Sequence, residues 1–311
     1  MGGAGNKSGA ASEEFAMDME QLVEIIDALA RQKNPEWNAM LDAMEKTPLW
    51  EDQDVPCFEE SFGQRKPSLA VLPAAGGKPR GAVIVCAGGA YYFKSVHEGR
   101  IVAERFQKAG FGAAVLDYRV KPYPPEVSLL DAQRAIRLLR ARAARWNILP
   151  DQIAILGFSA GGHLAGMAAT KFGPGDPEAS DPVERVASRP DAIIQGYGSL
   201  TLASFPGKDS IMDTGNDRQR KVELSPDKNL RPDAPPFFLW QCSDDPLVDA
   251  RQMLHMAKEL IDYGIPVEMH LFPQGNHGLG LADGSLPGIP VNLHVAQWAD
   301  LCIHWLNHLG F

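Results

Sequence analysis

The chain has 311 residues, of which 45% are hydrophobic and 22% are charged, and its formal net charge is −9. This composition is typical of a globular protein, and the length allows one large domain or two average ones. An acidic surface repels phosphate groups, and no run of Lys and Arg offsets that charge. The composition therefore argues against a nucleic-acid partner.

Targeting signals and metal motifs are missing from the sequence pattern. No apolar segment approaches the length that crosses a bilayer, and the start, MGGAGNKSGAASEEF, lacks the apolar core of a signal peptide. We therefore expect a cytoplasmic protein with no membrane partner. Cys57, Cys86, Cys242 and Cys302 are far apart and show no CxxC spacing. We predict that all of them are small buried hydrophobic residues and that the protein has no disulfide or zinc site.

The N-terminal part divides into two predicted segments. Residues 1–12 are rich in Gly, Ala and Ser and are predicted to be disordered. Residues 13–60 are predicted to be a helical extension, because apolar residues from Phe15 to Leu29 recur at helical spacing and a second helix can follow Pro35. This extension either packs on the main domain or forms a lid or a homodimer contact.

Residues 61–311 alternate between apolar runs and amphipathic segments. The predicted strands are SLAVLP, GAVIVCAGG, FGAAVLDYRV, QIAILGF, DAIIQGYGS, PPFFLWQC and PVEMHLFP. The predicted helices cover residues 97–109, 128–146, 160–172, 249–263 and 291–308. Such alternation predicts an α/β fold, with a mainly parallel sheet covered by helices on both faces. The irregular stretch 199–235 is predicted to be a small cap over the carboxyl edge of the sheet.

A serine lies at the junction of a predicted strand and helix. The sequence GFSAG places Ser159 between Gly157 and Gly161, in the pattern G-x-S-x-G. A nucleophile on this sharp turn needs neighbours without side chains, and the turn projects its hydroxyl above the sheet. The pattern alone is weak, but its position after ILGF and before GGHLAGMAA favours a nucleophilic serine.

A nucleophilic serine needs a base, and in this architecture the chain order is Ser, then Asp or Glu, then His. Among the 8 histidines, His277 alone follows a predicted strand in a glycine-flanked loop, PQGNHGLG. The acid should follow the preceding strand, where Asp244, Asp245 and Asp249 are candidates. We predict that Asp245 is the acid, that Asp244 is a turn residue and that Asp249 caps the next helix.

Acyl transfer also needs hydrogen-bond donors that stabilise the negative charge developing on the carbonyl oxygen. One predicted donor is the N–H of Ala160, directly after the serine. The others are the N–H groups of Gly89 and Ala90, in the loop CAGGAYYF after an early strand, where small residues allow close approach of the backbone.

These motifs resemble a known family. From Ala82 to about Gly280 the chain resembles α/β-hydrolase esterases, especially the bacterial acetyl-xylan or feruloyl esterase-like (lipase/esterase) group. The shared features are the glycine loop before Tyr91, HEG, LDYRV, GFSAGGHLA, PPFFLWQCSDDPLV and GNHG. The resemblance implies the α/β-hydrolase fold and a Ser159–Asp245–His277 triad. The predicted acyl-transfer mechanism needs no cofactor or metal. The family loop usually reads HGGG or PGGG, whereas this one reads AGGA, so Ala90 can alter the shape of the acyl pocket.

Four residues near these motifs have two interpretations each. Tyr91 and Tyr92 either line the substrate pocket or pack in the core. Glu98 either contacts a polar substrate or anchors its own loop, and His163 either supports the site or packs beside it.

The sequence thus predicts a serine carboxylesterase for small-molecule esters. The resemblance implies short acyl groups, for example on acetylated oligosaccharides. The alternatives are a kynurenine formamidase-like amidase, an enzyme that cleaves peptides, and a catalytically inactive hydrolase fold used as a binding module. Fluorophosphonate labelling distinguishes the last alternative, because only an activated serine reacts.

Overall fold

The computed structural model describes residues 34–51, 54–204 and 217–311. The predicted disordered tail, the apolar stripe from Phe15 to Leu29 and the middle of the irregular stretch lie outside the described residues. Within them, no helix has the length and apolarity that crossing a bilayer requires.

The described residues contain an eight-stranded, mainly parallel sheet in the order β1-β2-β4-β3-β5-β6-β7-β8. The strands are β1 (Lys46–Pro48), β2 (Ser68–Leu72), β3 (Arg80–Cys86), β4 (Gly112–Asp117), β5 (Ile148–Phe158), β6 (Ala192–Gly196), β7 (Phe237–Cys242) and β8 (Val267–Phe272). Strand β2 is antiparallel to β1 and β4, and every other neighbouring pair is parallel.

Seven α-helices of the described residues flank or follow these strands. They are α1 (Pro35–Asp42), α2 (Arg100–Lys108), α3 (Pro125–Ala141), α4 (Ala160–Thr170), α5 (Arg218–Glu223), α6 (Arg251–Asp262) and α7 (Gln297–His308). Helices α3, α4 and α6 pack in one core cluster, and α1, α2 and α7 pack in another. Strand β3 sends Ile84 into the first cluster and Val83 and Val85 into the second. Strands buried on both faces confirm the predicted fold class.

The N-terminal extension differs from its prediction. Residues 46–48 form strand β1 and pair with β2, so the predicted helical extension 13–60 is not helical throughout. Pro48 cannot continue a helix, and pairing with β2 satisfies backbone groups at the sheet edge. Trp37 on α1 is only 1% exposed, and its indole N–H donates to Asp117 at the end of β4 over 2.8 Å. The described part of the extension is therefore integral to the main domain.

The cysteine prediction is wrong at one position. Cys86, Cys242 and Cys302 are buried and free, whereas Cys57 is free and exposed. Cys57 lies in the connection between β1 and β2 and has a left-handed backbone with φ 56°. Its neighbours lack the apolar periodicity that would have predicted burial.

Candidate active site

Ser159 connects β5 to α4 on a turn that only glycine neighbours permit. Its backbone is strained, with φ 50° and ψ −116°. A Cβ atom on Gly157 would lie 1.9 Å from the carbonyl oxygen of Gly161. A Cβ atom on Gly161 would lie 2.1 Å from the carbonyl oxygen of Cys86. Both distances are impossible, which explains why the predicted turn carries glycines on both sides.

His277 reaches Ser159 from the loop that follows β8. Its Nε2 atom lies 2.9 Å from Oγ of Ser159. The loop is held by Asp244, whose carboxylate accepts the backbone N–H of Gly275 at 2.9 Å and of Asn276 at 3.0 Å. Asp244 thus orients the segment immediately before the histidine.

Asp245 contacts the other nitrogen of the imidazole. Its Oδ2 atom lies 2.7 Å from Nδ1 of His277, and its side chain is fully buried. Its Oδ1 atom accepts the N–H groups of Leu247 and Val248 at 2.8 and 2.9 Å. Asp249 instead accepts the N–H of Arg251 where α6 begins. Of the three candidate acids, the structure therefore brings Asp245 to the histidine.

The glycine loop after β3 lies directly beside the serine. A Cβ atom on Gly88 would lie 2.9 Å from Cβ of Ser159. Gly89 and Ala90 follow with φ values of 128° and 53°, and such values are costly for alanine. Ala160 is the first residue of α4, so its N–H is among those that have no acceptor within the helix. The loop and the helix start thus approach Ser159 from two sides.

Tyr91 is placed in the core. The side chain is 1% exposed, and its hydroxyl lies 2.9 Å from Nδ1 of His163. Nε2 of His163 lies 2.7 Å from the carbonyl oxygen of Leu224, which can only accept, so Nε2 carries the proton and Nδ1 accepts from Tyr91. Burial lowers the pKa of His163 to about 4, so the ring is neutral. Of the two interpretations of Tyr91, the one as a substrate contact is therefore wrong and the side chain packs in the core, because its hydroxyl is held inside the protein.

Tyr92 is partly exposed and packs differently. Together with Phe93 and Leu247 it surrounds Ala90, and the Lys121 ammonium lies 4.0 Å from its ring centre. An apolar group thus borders the glycine loop on the side of Leu247, two residues beyond Asp245.

Glu98 is a buried anchor, and its partner was not singled out from the sequence. The side chain of Glu98 accepts the N–H of Gly88 at 2.7 Å and the hydroxyl of Tyr197 at 2.6 Å. Tyr197 follows β6 in the sequence QGYGS. A tyrosine at the carboxyl end of a parallel strand was a usable signal, since ligand sites of such sheets form there.

Metal ligands do not gather at this site. Across residues 34–51, 54–204 and 217–311, no group of three or more His, Cys, Asp or Glu side chains is arranged to hold a metal ion.

The BD-FAE family model matches residues 70–260, which is more than half of the chain. The chain belongs to the BD-FAE family. A solved structure with similar fold and sequence is an acetyl ester-xyloside bifunctional hydrolase from Caldicellulosiruptor lactoaceticus. It is 39% identical, covers 86% of this chain and 97% of that chain, and has a TM-score of 0.79.

Two curated proteins resemble this BD-FAE chain over part of their length. Endo-1,4-beta-xylanase B of Butyrivibrio fibrisolvens is 30% identical over 76% of this chain and 38% of its own. The acetylxylan esterase of Xylanibacter ruminicola is 27% identical over 64% of this chain and 41% of its own. The chain thus spans about two fifths of these relatives. Together the relatives and structures identify a carboxylic ester hydrolase domain of the α/β-hydrolase group.

Proposed function

We propose that this protein is a serine carboxylesterase in which Ser159, His277 and Asp245 form the catalytic triad. The observation that carries the proposal is the continuous contact from Oγ of Ser159 to Nε2 of His277 at 2.9 Å and from Nδ1 to Asp245 at 2.7 Å. A base with one nitrogen on the nucleophile and the other on a buried carboxylate is the arrangement that activates a serine.

The proposed reaction has two stages. Nε2 of His277 removes the Ser159 proton while Oγ attacks the ester carbonyl carbon, and Asp245 fixes the tautomer and stabilises the imidazolium. The tetrahedral intermediate collapses, and the alcohol leaves with the proton from His277. Water then attacks the acyl-enzyme with His277 again as base, and the carboxylic acid is released.

The oxyanion donors in this proposal are the N–H groups of Gly89, Ala90 and Ala160. Supporting this role, the neighbouring Gly88 lies against Ser159, and Ala160 begins α4. The partial positive charge of a helix start also favours an oxyanion. Removing one such donor typically costs about 10²- to 10³-fold in turnover.

We propose short acyl esters of carbohydrates or similar small molecules as substrates. The printed names of two relatives, an acetylxylan esterase and an acetyl ester-xyloside hydrolase, support an acetyl group. The apolar group of Tyr92, Phe93 and Leu247 around Ala90 supports a narrow acyl pocket, because it borders the proposed oxyanion loop. In this proposal Tyr92 lines the substrate pocket.

The test is hydrolysis of a p-nitrophenyl ester series from acetate to octanoate by wild type, Ser159→Ala and Ser61→Ala. Ser61 is the control because it is exposed and its hydroxyl donates to the nearby Glu59 carboxylate. We expect the highest turnover with acetate, a loss of about 10⁴- to 10⁶-fold in Ser159→Ala and full activity in Ser61→Ala.

Other results would select the alternatives. Turnover of an aryl formamide without turnover of any ester would identify an amidase. A folded wild type that hydrolyses none of these compounds and is not labelled by a fluorophosphonate would identify a binding module.

A further inference from the structure

Glu98 is a carboxylate deep inside the protein, at the end of a short 3₁₀ turn that precedes α2. It is 1% exposed, and its two oxygens have different partners. Oε2 accepts the N–H of Gly88 at 2.7 Å, and Oε1 accepts the hydroxyl of Tyr197 at 2.6 Å. Nε2 of His97 lies 3.8 Å from Oε1. A buried carboxylate is costly unless its hydrogen bonds compensate, so these two contacts account for its presence.

Tyr197 carries the connection further. Its hydroxyl donates to Glu98 and accepts the N–H of Gly280 at 2.9 Å. Its ring lies edge-on to the imidazole of His277, with the ring centres 4.9 Å apart. Its backbone has φ 40°, which is a strained value for tyrosine, and strain of this kind persists where surrounding contacts impose it.

The two residues therefore bridge two loops that the sheet keeps apart. One loop follows β3 and carries Gly88, Gly89 and Ala90, and the other follows β8 and carries His277 and Gly280. Strands β5, β6 and β7 separate β3 from β8 in the sheet. A hydrogen-bonded chain from Gly88 through Glu98 and Tyr197 to Gly280 crosses that distance above β6.

We propose that Glu98 and Tyr197 are positioning residues. They fix the loop after β3, which carries the proposed oxyanion donors, relative to the loop after β8, which carries His277. The inference rests on the proposed function, because it takes the loop after β3 as the one that binds the oxyanion and the loop after β8 as the one that transfers the proton. Proton transfer and oxyanion binding must occur in one geometry, and a displacement of about 1 Å can cost about 10²-fold in rate.

A carboxylate suits this position because it only accepts hydrogen bonds and has two oxygens. Glu98→Gln keeps the size of the side chain but replaces one acceptor with a donor, so it can satisfy Gly88 or Tyr197 but not both as they stand. Tyr197→Phe keeps the ring against His277 and removes only the hydroxyl. Each variant cuts the bridge at a different link.

The experiment measures kcat, KM and the affinity for a trifluoromethyl ketone inhibitor in the wild type, both single variants and the double variant. The inhibitor forms a tetrahedral adduct on the serine, so its affinity reports the oxyanion geometry. We expect kcat to fall about 10- to 100-fold with KM within about twofold, and the inhibitor to weaken in proportion to kcat/KM. The double variant should be no worse than the more damaged single variant, because one bridge can be cut only once.

Tyr123→Phe is the matched control. Tyr123 is also a buried tyrosine, and its hydroxyl bonds the N–H and the carbonyl of Glu59 at 2.8 and 3.2 Å. This variant should lower the melting temperature without lowering kcat. Wild-type kcat in folded Tyr197→Phe, or losses that multiply in the double variant, would overturn the inference.

The outcomes separate this inference from the proposed function. If Ser159→Ala is inactive while the bridge variants keep wild-type kcat, the inference fails and the triad stands. If Ser159→Ala retains full activity, the proposed function itself fails. If Glu98→Gln does not fold, Tyr197→Phe decides alone, since it deletes a single oxygen atom.

Discussion

Asp244 and Asp245 are adjacent in the chain but bind different groups, and this difference is testable. Asp245→Asn should lower kcat by about 10⁴-fold, because an amide can hold the imidazole in the wrong tautomer. Asp244→Asn should cost far less, because Asp244 only accepts backbone N–H groups of Gly275 and Asn276. The measurement is kcat for p-nitrophenyl acetate in both variants.

The neighbouring aspartate is the control for this comparison, since both variants change one carboxylate to an amide in the same loop. Equal losses in the two variants, or a larger loss for Asp244→Asn, would contradict the assignment of Asp245 as the acid.

The site residues that could be predicted from the sequence are those that closely follow the end of a strand. Ser159, Asp245 and His277 each follow a strand closely, and the carboxyl ends of parallel strands meet at one edge. Tyr91 also follows a strand, yet its left-handed backbone, with φ 61°, accompanies a side chain directed to His163. That choice depends on a partner more than seventy residues away, which a local pattern does not contain.

At the scale of elements, His163 joins three parts of the fold. It lies on α4, contacts Tyr91 of the glycine loop and donates to the carbonyl of Leu224 at the end of α5. Burial is the largest cause of its lowered pKa. This ring therefore links the described part of the 199–235 stretch to the body of the domain.

The low pKa of His163 predicts a pH-dependent stability. In the unfolded chain His163 binds a proton below about pH 6.5, whereas the folded protein resists protonation down to about pH 4. Neutral His163 thus contributes fully to the free energy of unfolding above about pH 6.5. As the pH falls to about 4, the free energy of unfolding decreases by roughly 3 kcal/mol. Urea unfolding at pH 7, 5.5 and 4 measures it.

The variant His163→Gln isolates this contribution from other titrating groups. The difference in unfolding free energy between wild type and variant should shrink as the pH is lowered from 7 to 4. A difference that stays constant over this range would contradict the assigned pKa.

The boundaries of two elements depend on hydrogen bonds that the spacing of apolar residues does not predict. The last helix was predicted over residues 291–308, but α7 begins at Gln297. The Asn292 side chain accepts the N–H groups of His294 and Val295, which holds the preceding residues in a turn. Strand β1 was missed because three residues, Lys-Thr-Pro, show no alternation and gain their conformation from pairing with β2.

At the scale of the whole molecule, a homodimer through the N-terminal segment stays a proposal. Removal of residues 1–33 should convert a dimer into a monomer and leave the proposed esterase activity intact, because the proposed triad and the eight-stranded sheet lie within residues 34–311. Size-exclusion chromatography with light scattering, on both chains at equal concentration, measures the change. An unchanged oligomeric state would contradict the proposal.

The deletion has to end before α1. Removing residues 1–50 would also remove strand β1 and Trp37, which is buried and bonded to Asp117. Loss of a buried tryptophan alone typically costs about 3–5 kcal/mol. A longer deletion would therefore test folding instead of assembly.

The two glycines of the serine turn limit how this chain can change over evolutionary time. A methyl group on either Gly157 or Gly161 would overlap a backbone carbonyl, so replacement by even the smallest side chain displaces Ser159, the proposed nucleophile. No single substitution at either glycine leaves the turn intact, so neither position can change by neutral mutation. New substrate preferences must then arise in the surrounding loops, where Ala90 already occupies a left-handed position that a glycine would hold without strain.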